Sequence, residues 1–288
     1  MYEFSEPVKG IYVLKAPFST VWTGITLVKG EKNFLIDSGA DAPEVYLIPA
    51  LKKIGLEITD IDYLLNTHCH GDHITGHSDL VTKYGLKVAT FEGGVTALTE
   101  PAKNAVRIRT KFPENSPAPQ SWLRGVNPDV VLKDGEELCG RLRLIHTPGH
   151  DMDCVCWYDV ITKTLITGDS LQANGTPTQG VGFYQSLELY EKSLEKLSEL
   201  DIENILLGHE YDGLGDFILG KENVQKALET CKSTVEQYDR LITSYISEGM
   251  SDNVEIAKRL INEVGCGTPE WLFLPLYTVT EHRKRHGI

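Results

Sequence analysis

The sequence predicts an α/β fold in which two β-sheets pack face to face with helices outside them. Three observations carry this. Strand-like apolar runs followed by a helix open the chain, the same order returns after residue 130, and a purely helical stretch follows residue 220. Helices and sheets each bury one apolar face, and stacked layers satisfy them together. A length of 288 residues suffices for one large core or two small domains.

Taken in order, Ile11 to Leu14, Val21 to Val28 and Asn33 to Ile36 read as strands, with a turn at Lys29–Lys32. Asp41 is placed as an N-cap and Glu44 three residues on completes a capping box. The helix expected behind it carries apolar Val45, Leu47, Ile48, Leu51 and Ile54, and Gly55 stops it. Ile61 to Leu65 is a strand, 76–84 a helix, Lys87 to Phe91 a strand and 93–99 a short helix. Pro113 to Pro119 is too proline-rich for a helix, and 100–128 is a candidate lid. Val130 to Leu132 and Leu142 to His146 resume the strands, and Cys154 to Tyr158 with Thr164 to Ile166 forms a hairpin. After a Gly-rich loop, 175–182, come a helix at 186–199 and a strand at Ile202 to Leu207. Helices are expected at 221–247, where a long apolar stripe suits intramolecular packing or a homodimer interface, and at 252–264. Trp271 to Leu276 is apolar enough to pack. The expected division is a catalytic domain over 1–215 and a helical extension over 216–288 packed on the same domain.

The formal charge of −13 argues against nucleic acid as a partner. The short basic run His282 to His286 reads as a helix C-terminus or a solvated tail. The N-terminus has no basic start followed by an apolar run, and no stretch approaches membrane-spanning length. The six cysteines are scattered without a CxxC pair, as expected of reduced thiols in a cytoplasmic protein.

The chemistry is concentrated in Thr67-His68-Cys69-His70-Gly71-Asp72-His73, at the end of an expected strand. Neutral imidazoles and carboxylates are the ligands a zinc-like cation takes. In extended backbone His68 and His70 point to one side, Cys69 points away, and Gly71 lets the chain turn so that Asp72 and His73 can approach a second ion. Asp37, His150, Asp169 and His209 also follow expected strands, each bracketed by small residues. Active sites gather where strand ends converge, so these residues can meet at one edge.

The pattern His68-x-His70-x-Asp72-His73, then His150, Asp169 and His209, resembles the metallo-β-lactamase superfamily from Asp37 to His209. The resemblance implies an αββα four-layer sandwich. It implies one metal held by His68, His70 and His150, another by Asp72, His73 and His209, and Asp169 bridging them. Asp37 is then expected behind the ligands, orienting one by a hydrogen bond. The carboxylate at 169 is similar to the glyoxalase II, lactonase and thioesterase branches. Gly182-Phe183-Tyr184 resembles the stretch with which glyoxalase II contacts glutathione, making Tyr184 a candidate substrate contact, although Gly182 stands where that family has a lysine. Leu171 and Gln172 stand where lactonases carry a tyrosine.

The function implied is hydrolysis. Two divalent ions are expected, zinc foremost with iron or manganese as alternatives. A metal-bound hydroxide would attack the carbonyl of an ester, thioester, lactone or β-lactam, with Asp72 orienting it or carrying the proton. The net positive charge of such a centre favours a small, anionic substrate. The competing readings are a mononuclear iron persulfide dioxygenase, a metal-dependent phosphodiesterase and a purely structural metal site.

Overall fold

The computed structural model describes residues 2–288. The first sheet has seven strands that follow one another in chain order across it. They are β1 (Phe4–Val8), β2 (Ile11–Phe18), β3 (Val21–Val28), β4 (Phe34–Ile36), β5 (Tyr63–Leu65), β6 (Lys87–Phe91) and β7 (Val130–Leu132). The second sheet is formed by β8 (Glu137–Leu138), β9 (Leu142–His146), β10 (Val155–Asp159), β11 (Thr164–Ile166), β12 (Asn204–Tyr211) and β13 (Gly215–Leu219). Its spatial order is β13-β12-β11-β10-β9-β8.

Alternation along the strands decides the layers, because successive side chains face opposite sides of a sheet. Val13, Phe34, Ile36 and Leu65 turn inward to meet Leu144, Val155, Trp157 and Leu206 from the other sheet. Leu14, Leu35 and Leu64 turn outward beneath α1 (Leu47–Lys53) and α3 (His77–Tyr84). Ile145, Cys156, Leu165 and Ile205 turn outward from the second sheet. They are covered by α6 (Leu187–Ser198), α7 (Lys221–Ser247), α8 (Asn253–Val264) and α9 (Phe273–Arg285). Both faces of each sheet are buried, which is why the strands read as continuous apolar runs. The remaining helices, α2 (Gly71–Ile74), α4 (Val95–Thr99) and α5 (Pro101–Thr110), lie beside the strand ends.

The four layers and both long C-terminal helices match the expectation. The stripe of α7, including Val224, Leu228, Cys231, Val235 and Ile242, is buried within this chain. The second sheet continues to Leu219, so the expected boundary at 215/216 falls inside β13 and the C-terminal helices begin at Lys221.

Several elements differ. Asp41 caps nothing: α1 starts at Leu47 with Tyr46 in the cap position and no side-chain cap. The Asp41 carboxylate accepts from the Ala42 N–H at 2.7 Å, while Glu44 accepts from Lys83 at 2.9 Å. The chain between them is held back by Tyr46, whose hydroxyl accepts the Asp41 N–H at 2.9 Å. The region 100–128 contains a full helix, α5, and its C-terminal part is a loop with a short 3-10 turn at Pro113–Asn115. The apolar tail is the first turn of α9, and the basic run His282 to Arg285 is its last turn. β12 runs past Leu207 to Tyr211, with an irregular register between Leu206 and Tyr211. That irregularity contains Gly208 and His209.

Candidate metal centre

Strand direction brings the polar residues together. β4 and β5 are parallel, so Asp37 and Thr67–His73 leave the first sheet on one edge. In the second sheet β9 and β11 are both antiparallel to β10, and β12 is parallel to β11. His150, Asp169 and His209 therefore leave or sit at the same edge. Two glycines permit the close approach. Gly168 has φ +48°, and a Cβ there would lie 2.3 Å from Thr67 Oγ1. A Cβ on Gly208 would lie 2.6 Å from Asp169 Oδ1.

Three groups of side chains come within 4.8 Å of one another, ligand atom to ligand atom: His68, His70 and His150; His68, His73 and Asp169; and Asp72, His73 and His209. Asp169 lies between the outer two groups. Its Oδ2 is 3.4 Å from His150 Nε2 and 3.4 Å from His209 Nε2, and its Oδ1 is 3.2 Å from His73 Nε2. Asp72 Oδ2 is 3.1 Å from His209 Nε2.

Every imidazole spends its outward nitrogen on an acceptor. His73 Nδ1 donates to Asp37 at 2.8 Å, His150 Nδ1 to the Phe183 carbonyl at 3.1 Å and His209 Nδ1 to the Trp22 carbonyl at 2.5 Å. His68 Nδ1 lies 3.2 Å from Thr67 Oγ1, whose own proton goes to Asp37 at 2.8 Å. His70 is reversed: its Nε2 donates to Asp151 at 3.1 Å and its Nδ1 faces His150 Nε2 at 3.1 Å. The inward nitrogens are thus left facing one another and the carboxylates of Asp72 and Asp169. His68 Nε2, His73 Nε2 and Asp169 Oδ1 are buried without any hydrogen-bond partner. Imidazole nitrogens and carboxylate oxygens converging in a buried space are the donor set of a shared cation, so the residues fit divalent metal.

The electrostatics make the same demand. Burial and the neighbouring imidazoles push His68 well below the usual histidine range. Burial also opposes protonation of His73, but Asp169, Asp72 and Asp37 outweigh it and raise its pKa. At His209 burial is likewise outweighed, by Asp169 and Asp72, which lift it to about 10. Asp169 is held well below the carboxylate range because His209 and His73 overcome its burial. Asp72 and Asp169 thus favour positive charge at this spot, which a bound cation would supply.

Some positions were not foreseen. Asp151, directly after His150, is buried and also accepts from Arg107 Nη2 at 2.8 Å. A carboxylate adjoining a candidate ligand was the available signal. Tyr184 corrects an expectation: its ring is buried and its hydroxyl lies 2.8 Å from His282 Nε2, away from the site. Phe183 faces the centre instead, its ring 4.8 Å from that of His150. Cys69 belongs to none of the three groups. It is buried, with Asn66 Nδ2 3.6 Å from its sulfur.

A cavity of about 510 Å³ opens onto His70, Asp72, His150, Asp169 and His209. Its walls come from the β2–β3 turn at Phe18–Val21, from α5 and the loop after it, from 176–179 and from 268–274.

The sequence matches the metallo-beta-lactamase superfamily over residues 24–209. The chain belongs to that superfamily. Among individual relatives, a hydroxyacylglutathione hydrolase of Rhodopseudomonas palustris (strain HaA2) is 32% identical over 200 residues, 68% of this chain and 67% of that one. A beta-lactamase-like protein 2 homolog of Drosophila melanogaster is 26% identical over 257 residues, 89% of this chain and 78% of that one. A crystal structure of a metallo-beta-lactamase family protein from Thermus thermophilus superimposes with a TM-score of 0.72 at 23% identity, covering 97% of this chain and 95% of that one. Within the superfamily the match ends at His209, so β13 and the helices α7 to α9 lie beyond it.

Proposed function

We propose that this metal-dependent hydrolase of the metallo-β-lactamase superfamily holds two divalent ions and cleaves a carbonyl substrate: an ester, thioester, lactone or β-lactam. The observation that carries the reading is the convergence of inward imidazole nitrogens, two of them buried without a hydrogen-bond partner, and an unpartnered carboxylate oxygen beside an open cavity. A closed structural site would not face such a space.

His68, His70 and His150 would hold one ion, Asp72, His73 and His209 the other, with Asp169 shared. Zinc is the first choice, since imidazole with carboxylate suits it, and iron or manganese are the alternatives. Bound there, the ions supply a nucleophilic water at neutral pH, its pKa lowered to roughly 7, and a Lewis acid for the carbonyl oxygen. Asp72 faces both the cavity and His209, so it is placed to orient the nucleophile and to pass a proton to the leaving group. Thr23 Oγ1, 3.4 Å from Asp72 Oδ2, steadies that carboxylate. Asp37 fixes the tautomer of His73 and the position of Thr67 together. Because Tyr184 is engaged with His282, a glutathione thioester would have to be recognised by other residues here.

A panel of lactones, thioesters and β-lactams, assayed with a chelator and after re-addition of zinc or manganese, tests this. Hydrolysis should vanish on chelation and return with metal. Activity that survives complete metal removal contradicts it. Oxygen uptake with glutathione persulfide and one iron per chain would favour the dioxygenase, and cleavage of phosphodiesters alone would favour the third reading.

A further inference from the structure

We infer that Arg109 is the anchor for a carboxylate carried by the substrate, so that the enzyme acts on acyl compounds with an apolar arm ending in an anion. This rests on the hydrolytic reading above and names the substrate class for the same site.

The cavity wall away from the metal residues is largely apolar, with Phe18, Val21, Ile108, Phe183, Phe273 and Leu274 in it. Among the described residues that line it, Arg109 is the one lysine or arginine. It stands on α5, one turn beyond Ala105, and its neighbour Arg107 serves a different purpose by pairing with Asp151. The Arg109 guanidinium is placed rather than free. Nη1 donates to the Ala105 carbonyl at 3.1 Å, Nη2 to Gln120 Oε1 at 3.4 Å, and its carbon lies 5.7 Å from the centre of the Phe273 ring. Gln120 in turn packs on the metal-site loop, since a Cβ on Gly71 would fall 2.7 Å from its Oε1.

What Arg109 lacks is an anion in hydrogen-bond contact, since Asp72 acts on it only through space. Its hydrogen bonds go to neutral oxygens, and its Nε is buried with no partner. A guanidinium offers five N–H donors, and a half-buried one with donors to spare is uncomfortable unless something completes it. The carboxylates facing the same cavity are Asp72, Asp169 and Glu270. The first two are committed to the metal centre, and Glu270 is solvent-exposed. A planar carboxylate matches the guanidinium fork, which leaves the apolar wall for the intervening chain and the scissile carbonyl for the metal end.

The test uses the metal-loaded protein and 4-nitrophenyl esters of equal acyl length, one chain ending in a carboxylate and the other in a methyl group. The ratio of kcat/KM, anionic over neutral, should be about tenfold or more in the wild type and fall toward one in Arg109→Gln, with partial recovery in Arg109→Lys. Arg124→Gln, which removes an exposed partner of Asp79, should keep the wild-type ratio. A ratio unchanged by Arg109→Gln overturns the proposal. A second readout does not need turnover: fluorescence titration with dansyl-6-aminohexanoate and with its primary amide. The carboxylate should bind the wild type about tenfold or more tightly than it binds Arg109→Gln, and the amide should not show that gap. If no ester is cleaved, the hydrolytic reading fails while this titration still reads the anchor; equal carboxylate affinity in the two proteins would remove Arg109 from the role.

Discussion

His70 is turned round relative to the other histidines of the centre, because its Nε2 lies 3.1 Å from Asp151 Oδ2 and leaves Nδ1 to face His150. Asp151 is buried and is itself held by Arg107 from α5. Asp151→Asn keeps the shape but removes the charge that both partners engage. Metal affinity should fall by about 10–100-fold, measured by competition with a chromophoric chelator. Unchanged affinity would show that His70 is oriented by something else.

Asp37 sits behind His73 in the same way but carries a larger load. Its two oxygens take the Thr67 N–H, the Thr67 hydroxyl and His73 Nδ1, all at 2.8 Å. Its φ of +64° is a conformation that asparagine also tolerates, so Asp37→Asn tests charge without adding backbone strain. An amide NH₂ would then face one of three donors. The expected loss is about 1–3 kcal/mol of stability in urea denaturation. Zinc occupancy at the Asp72, His73 and His209 position should drop alongside it.

Gly168 tests how tightly the two sheet edges must meet. A methyl group there would lie 2.3 Å from Thr67 Oγ1, on a backbone with φ +48°. Gly168→Ala should cost roughly 1–3 kcal/mol or more and lower zinc affinity, because the displaced Thr67 also positions Asp37 and His68. Thermal melting of the metal-loaded and chelated proteins checks both effects.

The acid limb of stability should depend on His282. Burial outweighs the pull of Asp239 and lowers its pKa to about 4. The ordinary value is about 6.5. The folded protein therefore resists binding a proton that the unfolded chain takes up. The contribution is fully present above pH 6.5 or so and is lost as pH falls toward 4, at up to about 1.4 kcal/mol per pH unit. Urea midpoints of the chelated protein across that window should show a shallower slope in His282→Gln than in the wild type. Equal slopes would mean that His282 takes up its proton as readily in the fold as in the unfolded chain.

Much of this molecule could be read from its sequence, and the exceptions share physical causes. The stripe of α7 has a clean helical period over 27 residues, and its observed bounds coincide with those expected from the pattern. The seven candidate metal residues were visible because they follow apolar strands and small residues. α9 was missed because its buried residues, including Phe273, Leu276, Tyr277, Val279 and Glu281, lie around much of its circumference and leave no stripe. α5 was missed because its sequence, Pro-Ala-Lys-Asn-Ala-Val-Arg-Ile-Arg-Thr, is mostly polar and is held by contacts to distant segments such as Gln185 and Asp151. β1, β8 and β13 are sheet edges or short pairs whose existence depends on a partner strand. Tyr184 was placed by motif position alone, and only three dimensions show that its hydroxyl meets His282 from α9.

The measurement that bears most directly on the account is a zinc titration of the chelated protein with bound metal and ester or lactone hydrolysis recorded together. Hydrolysis should rise with bound zinc and saturate at about two ions per chain, as the donor set allows. Full hydrolysis with no metal bound would contradict it, and so would a protein that binds no zinc at this site.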